Sequence, residues 1–260
     1  MTEAPKSSKP TSKPEQTPKP TDRIKIICIS DTHNAQPHLP PGDILLHAGD
    51  LTQTGNIPKL QKQLDWLNAQ PHQHKIIIAG NHDKALDADF VARNQERDFG
   101  GNVKELNWGN VIYLQESSVI VKVGKSKREL KIWGSPMTPK AAGGGFRYHP
   151  RTNIWKDRIQ RGTNIVLVHG PPRGYVDGEG KGCKFLLKEL RRVRPRLVVC
   201  GHIHEGSGRD TMVWERGEGR KWWMGIFGGR EKVKGRAETV IVNAAVGVGS
   251  MNKDAVVVYL

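Results

Sequence analysis

The chain has 260 residues, 36% of them hydrophobic, which is enough for one large folded domain or two small ones. Its longest apolar runs fall well short of the roughly 18 residues of a membrane span, and its three cysteines lack the even count of a disulfide framework. The net charge of +15 suits an anionic partner, without deciding among a phosphorylated substrate, a nucleic acid and an anionic membrane surface.

The first 22 residues differ in composition from the rest of the chain. They hold five prolines and four lysines, and Met1 and Ala4 are their only other apolar side chains. A segment this polar buries too little surface to offset its ordering entropy. We therefore predict a disordered Lys/Pro/Ser/Thr-rich tail at 1–22 and a folded domain at 23–260. The N-terminus has no apolar signal core, which favours the cytoplasm or the nucleus.

Short runs rich in β-branched residues recur along the folded part and predict strands. These runs are 24–30, 43–48, 75–79, 111–114, 118–123, 129–133, 164–169, 197–200, 239–243 and 255–260. Apolar residues at helical spacing predict helices at 59–68 and 182–193. The early alternation of strand and helix, followed by successive strands over 111–133, predicts an α/β protein with mixed sheets.

Basic residues cluster in the second half of the chain. Residues 140–161 contain six bases and one acid, and residues 181–196 contain seven bases and one acid. A third stretch, 211–236, combines tryptophans with bases, and we predict either a hairpin extended by a basic insertion or a mobile surface loop there. Its tryptophans are interpreted as packing in an extended hairpin rather than as a nucleic-acid contact.

Polar groups that can bind metals directly follow five of the predicted strands. The five blocks are Asp31-Thr32-His33, Gly49-Asp50, Gly80-Asn81-His82-Asp83, His169-Gly170 and Gly201-His202-Ile203-His204. In α/β sheets, ligand sites lie beyond the carboxyl ends of strands, so these segments can converge in one crevice.

The spacing within the blocks also suits a metal site. Residues i and i+2 of an extended chain point to the same side, so an Asp-x-His or His-x-His pair can face one ion. A glycine precedes Asp50, Asn81 and His202, where it lets the backbone approach an ion without an obstructing Cβ. One such pair is weak support for a metal site, but five ligand-bearing loops in order are hard to reach by chance.

At these five blocks the sequence resembles the calcineurin-like metallophosphoesterases, whose signature is D-x-H, G-D, G-N-H-[DE], a later histidine and G-H-x-H. The amino-acid sequence at 132–136, 169–172 and 201–206 is similar to that of the small MPPED branch of the superfamily. The resemblance implies a four-layer αββα sandwich of two mixed β-sheets flanked by helices. It implies two divalent ions, one held by Asp31, His33, Asp50 and His204, the other by Asp50, Asn81, His169 and His202, with Asp50 bridging.

The implied ligands and His82 set the expected chemistry. Imidazole, carboxylate and amide ligands suit manganese, with iron or zinc as alternatives, better than magnesium or calcium. Two ions bridged by one carboxylate suit attack of a metal-activated hydroxide on phosphorus. His82 is expected to protonate the leaving oxygen or to stabilise the phosphoryl charge, with Asp83 orienting it. The branch resemblance favours a phosphodiesterase for small nucleotide-like substrates, and no substrate-binding residue is assigned.

Other functions stay open at this point. The third block ends in Asp83 and Leu51 follows Asp50, which disfavours a phosphoprotein phosphatase with its G-D-x-V-D-R-G and G-N-H-E blocks. A metal-binding scaffold of the same fold without turnover is one alternative, and a nuclease or nucleic-acid binder using the basic surface is another.

Several further residues are interpreted as background. These are the histidines outside the five blocks, namely His38, His47, His72, His74 and His149. His47 is either a partner beneath the site or a buried core histidine. The glycines at 143–145 lack the Lys-Ser/Thr of a P-loop, so we predict a flexible loop there rather than a phosphate cradle.

Overall fold

A computed structural model describes residues 23–139, 143–214, 237–247 and 254–260. The predicted tail at 1–22 lies outside the described residues. The strands in chain order are β1 (Lys25–Ile29), β2 (Ile44–His47), β3 (His74–Ile77), β4 (Val111–Tyr113), β5 (Ser117–Val123), β6 (Arg128–Ser135), β7 (Thr138–Pro139), β8 (Arg147–Tyr148), β9 (Ile165–Val168), β10 (Leu197–Cys200), β11 (Gly208–Trp214), β12 (Ala237–Asn243) and β13 (Val256–Tyr259). The helices are α1 (Ile57–Asn68), α2 (Ala88–Arg93) and α3 (Lys184–Val193).

Two large mixed sheets carry the fold, as the sequence predicts. The first has the order β13-β1-β2-β3-β4, in which β1 to β4 run parallel and β13 is antiparallel to β1. The second has the order β11-β12-β10-β9-β6-β5, with a parallel centre and an antiparallel pair at each edge. The structure therefore has the mixed α/β architecture that was predicted.

The core between the sheets follows from the two-residue period of a strand. Ile26 and Cys28 of β1 point into the cluster that also contains Ile132 and Val199 of the second sheet. The alternate residue Ile27 lies on the opposite face, in the cluster with the buried leucines of α1. A third cluster covers the outer face of the second sheet, where α3 packs. Helices thus lie outside both sheets, which gives the four layers.

The two long helices have sequence-encoded ends. The Asn56 side chain accepts a hydrogen bond from the Lys59 amide at the start of α1, as an N-cap residue does. At the other end, the buried Lys75 donates its Nζ to the carbonyls of Asn68 and Gln70. Arg194 ends α3 in the left-handed conformation, with a φ of 54°. Cations near helix C-termini complement the helix dipole, so Lys75 also fixes α1 against β3.

Four of the described elements lie outside the predicted strands and helices, namely the short strands β7 and β8, strand β11 and helix α2. Helix α2 has six residues and buries none of them. Strand β11 pairs antiparallel with β12, in agreement with the hairpin alternative predicted for 211–236, and the intervening segment 215–236 lies outside the described residues. Trp214 on β11 is buried and donates its Nε1–H to Thr239 Oγ1 at 2.9 Å. The packing interpretation is confirmed for Trp214, whereas Trp222 and Trp223 lie outside the described residues. Among the described residues, no helix has both the length and the apolarity to cross a bilayer.

Candidate metal centre

The predicted ligand-bearing loops meet at the carboxyl ends of β1, β2, β3, β9 and β10. Within the first sheet, the Asp31 amide donates to the Gly49 carbonyl at 2.9 Å and the His33 amide donates to the Asp50 carbonyl at 3.0 Å. In the second sheet, the Gly201 amide donates to the His169 carbonyl at 2.9 Å. Hydrogen bonds at the strand ends therefore fix the loops. The two sheets present these loops to one crevice, as expected for α/β folds.

Asp31, His33 and His204 form the first group of candidate ligands. Their ligand atoms lie within 4.8 Å of one another. The Asp31 side chain is fully buried; its Oδ1 lies 3.2 Å from His204 Nε2, and its Oδ2 accepts the His202 amide at 2.9 Å. A single carboxylate thus joins the first block of the sequence to the last.

Asp50, His169 and His202 form the second group, again with ligand atoms within 4.8 Å of one another. Asp50 Oδ2 lies 3.3 Å from His169 Nε2. Asn81 belongs with this group, because its Oδ1 lies 3.2 Å from the same nitrogen. The other ring nitrogen of His169 lies 2.7 Å from the Ala48 carbonyl, which orients the imidazole so that Nε2 faces the crevice.

His33 lies where the two groups meet. Its Nε2 is 4.0 Å from Asp31 Oδ1 and 3.9 Å from Asp50 Oδ2. These separations are too long for hydrogen bonds. They match a cation held between the groups, because metal bonds of about 2.0–2.2 Å place two ligand atoms up to about 4.4 Å apart. The residues present therefore fit a divalent transition metal.

The backbone of these loops is strained where ligands are presented. Asp31, His33, Asp50 and His202 all have positive φ, between 45° and 68°. Such conformations persist where the surrounding structure imposes them, and they cluster at functional sites.

Glycines beside the ligands are required by close approach to ligand side chains, whereas the sequence predicts close approach to an ion. A Cβ on Gly80 would lie 2.2 Å from Asp50 Oδ1, and a Cβ on Gly201 would lie 2.1 Å from Asp31 Oδ2. Any larger residue at either position would displace a candidate ligand.

Charge is arranged around the buried carboxylates. Burial opposes ionisation of Asp31, but the hydrogen bond from His204 and the charge of His169 hold the pKa of Asp31 well below its usual range. Burial alone would lower the pKa of His169, yet the adjacent Asp50 carboxylate raises it to about 9. Burial lowers the pKa of His202 to about 4, and the nearby His169 charge adds to the effect. The crevice is therefore built to hold positive charge between ionised carboxylates.

His82 lies beside both groups. Its backbone amide donates to Asp50 Oδ1 at 2.8 Å, and its ring meets the His33 ring edge-on at a centroid distance of 4.9 Å. His82 Nδ1 lies 2.7 Å from the Gln53 carbonyl, a group that can only accept, so Nδ1 carries the hydrogen and donates it. That bond leaves Nε2 as the reactive nitrogen.

Asp83 lies beneath the loops, fully buried. Its carboxylate accepts the amides of Leu51, Thr52 and Gly80 and the Thr52 hydroxyl, at 2.8–3.1 Å. Among the described hydrogen bonds, the partner of the His82 ring is Gln53, and the predicted contact of Asp83 with that ring is absent. Sequence reasoning missed Gln53, because a backbone carbonyl leaves no signal in residue type. Asp83 can orient His82 only through the loop backbone.

His47 lies beneath the site as well as in the core. The Gly49 amide donates to its Nδ1 at 3.2 Å, so the hydrogen is on Nε2, which lies 3.0 Å from Thr32 Oγ1. Burial lowers the pKa of His47 to about 3, so the ring is neutral at physiological pH. It joins the first two blocks of candidate ligands, so it is both a partner beneath the site and a buried core histidine.

Replacing Asp83 with asparagine should destabilise the protein markedly. Burial and the nearby Asp50 carboxylate raise the pKa of Asp83 to about 6, so at pH 8 the group is ionised and accepts from all four donors. An asparagine would turn an NH₂ group toward backbone N–H groups, and each unsatisfied donor costs about 1–3 kcal/mol. Thermal unfolding at pH 8 should show a melting temperature lower by several degrees, with Asp89→Asn, at an exposed position, as the matched control. An unchanged melting temperature would show that the hydrogen bonds accepted by Asp83 do not stabilise the fold.

Comparison with known proteins decides the family. The chain matches the family described as "Calcineurin-like phosphoesterase" over residues 24–206, which include every candidate ligand. The chain belongs to the calcineurin-like phosphoesterase family. Membership of this family indicates a phosphoric ester hydrolase. Proteins of the family generally bind divalent metals, which agrees with the Asp and His groups described above.

Two curated relatives are similar over most of this chain. "Metallophosphoesterase domain-containing protein 1" from Homo sapiens is 39% identical over 218 residues, which are 75% of this chain and 65% of the relative. "Probable rhamnogalacturonate lyase C" from Emericella nidulans is 40% identical over 250 residues, which are 87% of this chain and 23% of the relative. This chain thus spans under two thirds of the human relative and under a quarter of the fungal one.

Among solved structures, one crystal structure matches with a TM-score of 0.50 at 14% sequence identity. The match covers 85% of this chain and 90% of that one. At this identity the likeness supports the fold alone, and it agrees with the two mixed sheets described above.

Proposed function

We propose that this protein is a dinuclear metal-dependent phosphodiesterase that hydrolyses small, nucleotide-like phosphodiesters. The observation that carries the proposal is the pair of candidate ligand groups that share one crevice. Asp50 Oδ2 faces His33 Nε2 of one group at 3.9 Å and His169 Nε2 of the other at 3.3 Å. A carboxylate in that position can bridge two cations, manganese being the first candidate and iron or zinc the alternatives.

Two bound cations would polarise a phosphoryl oxygen and lower the pKa of a coordinated water. The remaining work falls to residues of the chain. His82 presents Nε2 toward the crevice because Nδ1 is held by the Gln53 carbonyl. We assign it the delivery of a proton to the leaving oxygen. Asp83 holds the loops of residues 50–52 and 80–83 together and thereby positions both His82 and Asp50.

A cavity of about 330 Å³ adjoins the centre and supports a small substrate. It is lined by Pro139, Gly170, Pro171, Lys181, Gly182, His202, Ile203 and Glu205. Its volume lies at the lower end of the range for small-molecule sites. The lining is mostly apolar, and the ion pair of Lys181 and Glu205 forms part of it. The cavity thus suits one organic substituent of a phosphoester.

A hydrolysis panel tests the proposal. The purified full-length chain would be assayed on an aryl phosphomonoester, an aryl phosphodiester, cyclic nucleotides and a single-stranded RNA, with and without added Mn²⁺. We expect Mn²⁺-stimulated turnover of the diester and the cyclic nucleotides that exceeds turnover of the monoester. Preference for the monoester would overturn the diesterase assignment. Cleavage of RNA alone would favour the nuclease alternative, and metal binding without any turnover would favour the scaffold.

A further inference from the structure

The glycine segment Gly143–Gly145 lies directly against Asn81. Asn81 Nδ2 donates to the Gly143 carbonyl at 2.9 Å, and the Gly145 amide donates to the Asn81 carbonyl at 2.9 Å. The segment therefore contacts both the side chain and the backbone of a candidate metal ligand. The sequence predicts a flexible loop here, but this described part of the loop is tied to the centre at two points.

Gly144 is the position of the segment that requires glycine. It has a φ of +116°, a conformation that residues with a Cβ rarely adopt. A Cβ at this position would lie 2.0 Å from the Asn81 carbonyl oxygen, which is backbone and cannot rotate away. Only glycine at position 144 lets the segment reach Asn81.

The far side of the segment is anchored as well. The Phe146 amide donates to Asp87 Oδ2 at 2.5 Å, and the Phe146 carbonyl accepts the Thr138 amide at 2.8 Å. Phe146 is buried, and Asp87 also caps α2 by accepting the Phe90 amide. The segment is therefore held from both sides, which a freely moving loop would not be.

We propose that Gly143–Gly145 positions Asn81 as a metal ligand by selecting the orientation of its amide. A primary amide has a donor end and an acceptor end, and a backbone carbonyl can pair only with the donor end. The Gly143 carbonyl therefore holds Nδ2 and turns Oδ1 toward His169 Nε2, 3.2 Å away. This inference rests on the role proposed above for Asn81 as a ligand of the second ion. It makes the affinity for that ion depend on a segment 62 residues away in sequence.

Calorimetric titration of the metal-free, full-length protein with Mn²⁺ tests the inference. Gly144→Ala should weaken the second binding event about 10- to 100-fold, the usual effect of removing a group that orients a ligand, and leave the first event unchanged. Gly124→Ala is the matched control, because Gly124 also has a positive φ, +74°, but its Cβ would meet nothing within 4 Å. The control should bind both ions as the wild type does.

A second variant keeps the inference testable if Gly144→Ala does not fold. Asp87→Ala releases the far anchor of the segment without touching Asn81, and it should weaken the second event in the same direction but by less. Wild-type affinity for both ions in a folded Gly144→Ala, or in Asp87→Ala where the first variant is unfolded, would overturn the inference. Because binding is measured without substrate, a wild-type protein that binds two ions but hydrolyses nothing would overturn the proposed reaction alone.

Discussion

Replacing Asp50 with asparagine should give a folded protein that no longer binds two metal ions and has lost at least about 10³-fold of its turnover. The His82 amide donates to Asp50 Oδ1 at 2.8 Å, which holds that oxygen in place. The new NH₂ group must then occupy the position of Oδ2, which faces both His33 and His169. A donor there repels cations where a bridging carboxylate would attract them. Removing several kcal/mol of transition-state stabilisation accounts for the expected loss of rate.

Metal content after equilibration with Mn²⁺ and the metal-induced rise in melting temperature would both be measured. An ion present at 100 times its dissociation constant stabilises the native state by about 2.7 kcal/mol, and the variant should lose most of this gain. Asp65→Asn, at an exposed position on α1, is the matched control and should respond to Mn²⁺ as the wild type does. A variant that retains two ions and full stabilisation would remove Asp50 from the bridging position.

The sequence predicted the elements because their signals are local. Buried strands such as β9 and β10 are continuous apolar runs, as expected for the centre of a sheet covered on both faces. The ligand blocks were visible because each follows such a strand directly, and sheet topology then brings strand ends together. The glycines before Asp50, Asn81 and His202 were visible for the same reason. Each lies at a strand end, where a Cβ would meet a neighbouring segment.

Contacts between distant loops could not be predicted from residue patterns. Gln53 acts through its backbone carbonyl, and any residue type offers that group. The Gly143–Gly145 segment reads as flexible because glycine is permissive, and only its distance to Asn81 shows that the permissiveness serves a close contact. Asp83 was predicted to orient the His82 ring from its adjacency in sequence, yet its four donors come mostly from the 51–52 loop, 31 and 32 residues earlier. Helix α2 was missed because its six residues are too few to show a helical period.

The second large effect expected is on His82, whose replacement by glutamine should separate metal binding from turnover. The variant keeps the backbone amide that donates to Asp50 Oδ1, so the ligand geometry should survive. Glutamine cannot release a proton to a leaving oxygen, and general acid catalysis contributes about 10²- to 10⁴-fold to enzymatic rates. We therefore expect two bound ions per chain and a turnover number lower by that factor.

The position of His82 leaves one competing role, which the same variant distinguishes. His33, Asp50 and His82 also form a group whose ligand atoms lie within 4.8 Å of one another, so His82 could contribute a ligand instead of a proton. Metal content measured beside turnover separates the two roles, because a ligand would take an ion with it when replaced. The exposed His38→Gln variant should match the wild type in both measurements. Full turnover of His82→Gln would exclude both roles, since neither a proton donor nor a ligand can be lost without a change in rate.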